Sequence, residues 1–181
     1  NDLNAVLARA ADAGVCEMIA IASDVEESLA LANLPQFDQT TVWTTAGVHP
    51  HQASTFDEKT LSTLRICYER KNCVAIGECG LDFNRNFSPQ DVQLRVFEEQ
   101  LKLAAELQLP VYLHERDAFE PQIALLSRYM PSLKGGIAHC FTGDSAQVKQ
   151  YLSLGLYIGI TGWVCDEKRG EALRDAVKQV P

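Results

Sequence analysis

The six cysteines of this chain contain no Cys-x-x-Cys pair, no strand-like run is followed by a Gly-x-Gly-x-x-Gly or phosphate-loop pattern, and only four of 181 residues are histidine. The cysteine spacing offers no disulfide framework. Cys16, Cys73 and Cys140 lie in or beside apolar strand-like runs, as reduced buried thiols do. That usage points to a reducing, cytoplasmic compartment. The missing glycine fingerprints remove the usual evidence for a nucleotide-binding α/β domain. No apolar run approaches the roughly 20 residues of a membrane span, so no membrane is expected. The opening NDLNAVLARAADAGV lacks the basic region and apolar block of a secretory signal. It also lacks an initiator Met, and Asn1 reads as an internal position of a longer protein. Basic residues are scarce as well: 16 Lys and Arg against 24 Asp and Glu leave a net charge of −8. Such a surplus argues against a broad electrostatic grip on duplex DNA. It is compatible with a polyanion held at a small metal-charged site, because a bound cation reverses the local field.

What is present is ordinary in bulk and ordered in detail. The hydrophobic share is 46% and the charged share 22%, as in soluble globular proteins. The length suits one domain, residues 1–181, with a sizeable core. A helix is predicted over 2–13, with Leu3, Val6, Leu7 and Ala10 on one stripe and Gly14 as its stop. Strands are predicted over 15–22, 41–48, 73–76, 110–113, 136–138 and 156–160. Helices are predicted over 24–34 and 57–70 and after each later strand, the last filling 167–180. Ser88-Pro89-Gln90-Asp91 reads as a helix start, with Ser88 capping, Pro89 at the first position and Asp91 at the positive end of the dipole. Leu94, Phe97, Leu101, Ala104 and Ala105 form that helix's apolar stripe. Asp117 with Glu120, and Asp144 with Gln147, read as capping boxes.

Six strands, each followed by a helix, imply a parallel sheet with right-handed crossovers. An open doubly wound sheet and a (β/α)₈ barrel both qualify. All four histidines fall just past the ends of predicted strands: His49 and His51 after 41–48, His114 after 110–113, and His139 after 136–138. Glu78 holds the same place after 73–76, between Gly77 and Cys79-Gly80. In a parallel barrel those ends share one rim, where such barrels keep their active sites. Imidazoles with a carboxylate suit zinc, manganese and similar ions, and a glutamate can bridge two of them. His49-Pro50-His51 also suits a surface turn. Arg116 can pair a phosphate, whereas Asp117 reads as a helix cap. Asp82, Asn84 and Arg85 fall on a loop, within reach of a substrate or simply solvated. Trp163 can stack on a base or cover a barrel mouth.

The segments TAGVHPH, AIGECGLDFNRNFS, PVYLHERDA, AHCFTG and YIGITGWVCDEKRG resemble successive motifs of the TatD family of metal-dependent deoxyribonucleases, in order along nearly the whole chain. The resemblance implies a (β/α)₈ barrel of the amidohydrolase type, with about six of the eight units in this chain. The family's first strand with a His-x-His pair and its last strand with a Thr-Asp-Ala-Pro motif have no counterpart here. It further implies hydrolysis of DNA from the 3′ end of single strands, with RNA as a second substrate class. The implied cofactor is Mg²⁺, or Zn²⁺ or Mn²⁺ in its place, as one or two ions, and no obligate protein partner is implied. Glu78, His114 and His139 match the family's metal ligands, with Glu78 also the expected catalytic carboxylate. His49 and Arg116 are expected on the substrate side. Two other functions stay open: an amidohydrolase-like hydrolase of esters, amides or deaminase substrates, and an inactive fragment or binding module.

Overall fold

In a computed structural model, which describes residues 2–37, 40–168 and 170–181, strands and helices alternate throughout. The order is α1 (Leu3–Asp12), β1 (Glu17–Ala20), α2 (Val25–Ala32), β2 (Thr41–Ala46), α3 (Thr60–Tyr68), β3 (Cys73–Asp82) and α4 (Gln90–Leu107). It continues with β4 (Val111–Arg116), α5 (Phe119–Tyr129), β5 (Gly136–Ala138), α6 (Ser145–Ser153), β6 (Tyr157–Ile158) and α7 (Glu171–Val177). Short 3-10 turns occupy Pro50–Thr55, Met130–Ser132 and Gly162–Cys165.

All six strands are parallel and lie side by side in chain order, β1 to β6. That order decides between the two architectures. A doubly wound sheet reverses its strand order at a switch point, which places helices on both faces. An unbroken order with right-handed crossovers keeps every helix on one face, and the sheet curls around the other. The chain is therefore a curled six-strand portion of a (β/α)₈ barrel. One apolar cluster fills the space between sheet and helices, including Ile76, Leu81, Val111 and Leu113 from the strands and Phe97, Leu101, Leu126 and Tyr151 from the helices. Each such side chain contributes about 1.5–3 kcal/mol by leaving water. No helix of the described residues is long and apolar enough to cross a membrane.

Strand β3 departs from the sequence expectation. It runs on through Gly77, Glu78 and Gly80 to Asp82 rather than stopping at Ile76. The glycines mark close approach to β4, not the end of the strand. A Cβ on Gly80 would lie 1.9 Å from the His114 carbonyl oxygen, and one on Gly77 would lie 2.3 Å from that of Tyr112. Their φ angles of +139° and +143° also suit glycine alone. The ladder between β3 and β4 shifts register between Ile76 and Cys79, so the strand bulges where Glu78 sits.

Three fully buried glutamines close the backbone bonds near the site. Gln100 Oε1 accepts the N–H of Val48 at 2.8 Å while its Nε2 donates to the Val48 carbonyl at 3.0 Å. Gln93 grips Asp82 in the same way, at 2.8 and 3.0 Å. Gln122 Oε1 accepts the N–H of Leu81 at 3.1 Å. Helix α4 thus buries Gln93, Val96 and Gln100 beside Phe97, Leu101 and Ala104, whereas the expected stripe members Leu94 and Ala105 are only half-buried.

The capping expectations divide. Asp144 and Gln147 form the predicted capping box of α6. Ser88 does not cap α4, because its hydroxyl bridges the His51 carbonyl and the Ser54 N–H, each at 3.0 Å. Asp117 accepts from Asn84, and the N–H at Ala118 goes to Glu115 instead. The last helix is shorter than the predicted 167–180, running Glu171–Val177 with Gly170 at its N-cap, and Arg169 of that prediction lies outside the described residues.

Candidate metal centre

The strand ends deliver the titratable groups to one rim. His49 follows β2, and its Nδ1 accepts the N–H of His51 at 3.1 Å as the chain turns into the 3-10 segment. Glu78 projects from the bulge of β3, His114 from β4, and His139 just beyond β5. Glu78 Oε1 lies 3.0 Å from His114 Nδ1, 3.6 Å from His49 Nε2 and 3.8 Å from His139 Nε2. The His49 and His114 rings meet edge-on at 4.4 Å between centroids. On the far side of His114, Asp82 Oδ2 lies 3.2 Å from Nε2 and also accepts from His51 Nε2 at 2.8 Å. The Tyr112 hydroxyl lies 2.9 Å from His139 Nδ1.

Burial opposes ionisation of Glu78, but the bond from His114 and the surrounding imidazoles outweigh it and lower its pKa. Asp82 follows the same balance: burial raises its pKa, while the Arg85 N–H, His51 and His114 bring it below the usual value. Burial also disfavours charge on His114, yet the bonds to Glu78 and Asp82 prevail and raise its pKa. His49 goes the other way. Burial first, then the neighbouring His114, push its pKa down to about 4, with Glu78 opposing. His49 is thus neutral near pH 7. Because its Nδ1 accepts a backbone N–H, its proton sits on Nε2, 3.6 Å from Glu78 Oε1.

The donor set fits a divalent ion of borderline hardness. One atom each from His49, Glu78 and His114 lie within 4.8 Å of one another, and imidazole nitrogen with carboxylate oxygen is the pairing such ions take. His139 Nε2 faces the same carboxylate oxygen from 3.8 Å. The centre opens into a cavity of about 880 Å³ whose walls include Asn84, Arg116, Thr142 and Trp163. That volume is at the upper end of the range for small-molecule sites, about 300–1,000 Å³.

The structure brings Glu78, His49, His114 and His139 together, as the shared strand-end position predicts. Arg116 is exposed on the cavity wall. Two members escape the sequence argument. Asp82 is expected on a loop, within reach of a substrate or simply solvated, but lies buried in β3. Its signal is its spacing: four residues after Glu78 in an extended strand is the same face. Tyr112 carries no such signal, since an alternating strand residue before a histidine has many uses.

The model of the TatD-related DNase family matches residues 1–181. The chain belongs to the TatD family. A relative from Pantoea sp. (strain At-9b), named 3′-5′ ssDNA/RNA exonuclease TatD, is 49% identical over 180 residues, which is 99% of this chain and 69% of that protein. A relative of the same name from Rahnella sp. (strain Y9602) is 50% identical over 176 residues, 97% of this chain and 67% of its own length. The crystal structure of a TatD homologue from Escherichia coli K12 superposes with a TM-score of 0.86 at 33% identity, covering 99% of this chain and 69% of that one. TatD proteins are metal-dependent hydrolases, and this TatD chain places His49, Glu78 and His114 where an ion can be held.

Proposed function

We propose that this protein hydrolyses phosphodiester bonds from the 3′ end of single-stranded DNA, and of RNA, at a centre built on Glu78. The observation that carries the proposal is one carboxylate oxygen faced by three histidine nitrogens within 3.8 Å, all lining one cavity. The names of relatives at 49% and 50% identity support the substrate and the direction. Glu78, His114 and His139 would hold one or two divalent ions, and the imidazole donors favour Zn²⁺ or Mn²⁺ over the Mg²⁺ expected from the family resemblance. A divalent ion held there supplies Lewis-acid charge beside the phosphoryl group and acidifies water.

The remaining residues serve the substrate. His49 presents a neutral N–H toward the carboxylate, placed to donate to a phosphate oxygen without adding charge. The Arg116 guanidinium on the cavity wall pairs a phosphate. Trp163 gives the same cavity an aromatic face on which a base can stack. The net charge of −8 disfavours a broad phosphate-binding face, which suits a strand end better than the side of a duplex.

The test is degradation of single-stranded DNA labelled at either terminus, with and without a divalent ion. Loss of nucleotides from the 3′ end, abolished by chelation, is expected. Undiminished activity in chelator would reject the centre. Cleavage of an ester or lactone with no action on DNA would favour the amidohydrolase-like alternative.

A further inference from the structure

We infer that Asp82 is a positioning residue of the metal centre: it accepts the Nε2 proton of His114 and so leaves His114 Nδ1 as the ligand atom facing Glu78. The inference rests on the proposal that His114 holds the metal.

His114 is flanked by two carboxylates, Glu78 at 3.0 Å from Nδ1 and Asp82 at 3.2 Å from Nε2. Without an ion His114 can donate from both nitrogens, but an imidazole that binds an ion is neutral and keeps one proton, on the other nitrogen. Which nitrogen is free therefore depends on which carboxylate is the fixed acceptor. Asp82 is the fixed one. Its side chain is 2% exposed, so water does not compete for it. Its backbone is held on both sides by Gln93. Its Oδ1 is committed to the following turn, accepting the N–H groups of Asn84 at 3.1 Å and Arg85 at 2.7 Å. Oδ2 is left for the histidines, and an ionised carboxylate can only accept. Glu78, in contrast, is more exposed at 15%, and its Oε1 is shared among three imidazoles at 3.0–3.8 Å. A carboxylate behind a ligating imidazole also raises the basicity of the ligand nitrogen. The arrangement has a simple origin in β3, where residues four apart share a face: one strand supplies both Glu78 and the acceptor that orients the ligand of its neighbour.

The direct test is histidine ¹⁵N–¹H NMR of the wild-type protein loaded with Zn²⁺, which is diamagnetic. A His114 ring protonated at Nε2, with a metal-shifted Nδ1, is expected. Protonation at Nδ1 would overturn the inference without any variant. The second test is Asp82→Asn, which keeps the size and the Oδ1 acceptor of the turn while offering an N–H donor to Nε2. Mn²⁺ affinity, read by titration calorimetry, should fall about 10–100-fold. The Nε2–H signal of His114 should be lost, and kcat should fall with little change in KM for DNA. Wild-type Mn²⁺ affinity in a folded Asp82→Asn protein would reject the role. If the wild-type protein itself binds neither Zn²⁺ nor Mn²⁺, the proposed function fails and this inference with it, an outcome distinct from unchanged binding in the variant.

Discussion

Strands β3 and β6 belong to one parallel sheet, yet β3 runs ten residues, most of them buried, while β6 runs two, with Tyr157 78% exposed. Strand β1, at the other margin, has four residues and leaves Ile19 49% exposed. The difference follows from neighbours. Strand β3 is flanked by β2 and β4 and covered by α4, whereas each marginal strand is paired on one side only. A carboxylate can be kept ionised and oriented in the middle because every surrounding donor is itself anchored. At the margin, the Glu17 carboxylate of β1 is exposed and accepts from Trp43 Nε1 at 3.2 Å. The centre of the sheet thus carries both the tightest packing and the proposed chemistry.

The sharpest way to break this comparison is through Glu78. Glu78→Gln keeps the shape of the side chain but removes the charge that three imidazoles face. Metal-dependent nuclease activity is expected to fall below about 1% of wild type, with divalent binding lost in calorimetry, because metal ligands are not replaceable by neutral amides without losing affinity. Full activity in that variant would detach the chemistry from the middle of the sheet.

Backbone contact offers the next test. Gly80→Ala would drive a Cβ to 1.9 Å from the His114 carbonyl oxygen, and a loss of about 3–5 kcal/mol in urea unfolding is expected. Gly155, before β6, has φ +76° but no atom within 4 Å of a would-be Cβ. Its replacement by alanine should cost only the left-handed backbone, about 1–2 kcal/mol. Equal losses would mean that the middle is no more tightly built than the margin.

Side-chain packing sharpens the same contrast on a smaller scale. Leu81 is fully buried, so Leu81→Ala should destabilise by about 2–5 kcal/mol. Ile19 is half exposed, and Ile19→Ala should cost about 1 kcal/mol or less by the same measurement.

Thiol labelling probes the comparison without altering the protein. All six cysteines are free, with Cys16 and Cys165 exposed and Cys67, Cys73 and Cys79 buried. Burial pushes the Cys73 thiol up to about 12 and raises that of Cys79 as well. Only thiolates react, so at pH 8 Cys16 and Cys165 should label quickly and the buried three only after unfolding. Denatured, unreduced protein should yield all six. Fast labelling of Cys79 in the folded state would indicate that the middle of the sheet opens readily.

Much of the site is legible in sequence because strand ends in a parallel β/α chain share one rim, and every histidine falls at such an end. Glu78 is legible for the same reason. Asp82 is not, because Gly77 and Gly80 read as terminators of β3, and ending the strand at Ile76 consigns Asp82 to a loop. Whether a glycine breaks a strand or admits a neighbouring backbone depends on what lies beside it. The buried glutamines of α4 are hidden likewise, since Gln93 and Gln100 look like solvent-facing residues until the carbonyl and N–H groups they satisfy are in place.

The sequence by itself determined the alternation of strands and helices, the capping box of Asp144 and Gln147, the family and the gathering of Glu78, His49, His114 and His139 at strand ends. These rest on local periodicity, capping chemistry and motif order, which are properties of neighbours in the chain. Only the tertiary structure decided the consecutive strand order, the passage of β3 through its glycines, the burial of Asp82 between His51 and His114, and the protonated face that His49 turns to Glu78. Those depend on hydrogen bonds and close approaches between different strands and helices, whose distances and angles are set only once the sheet has curled and the helices have packed against it.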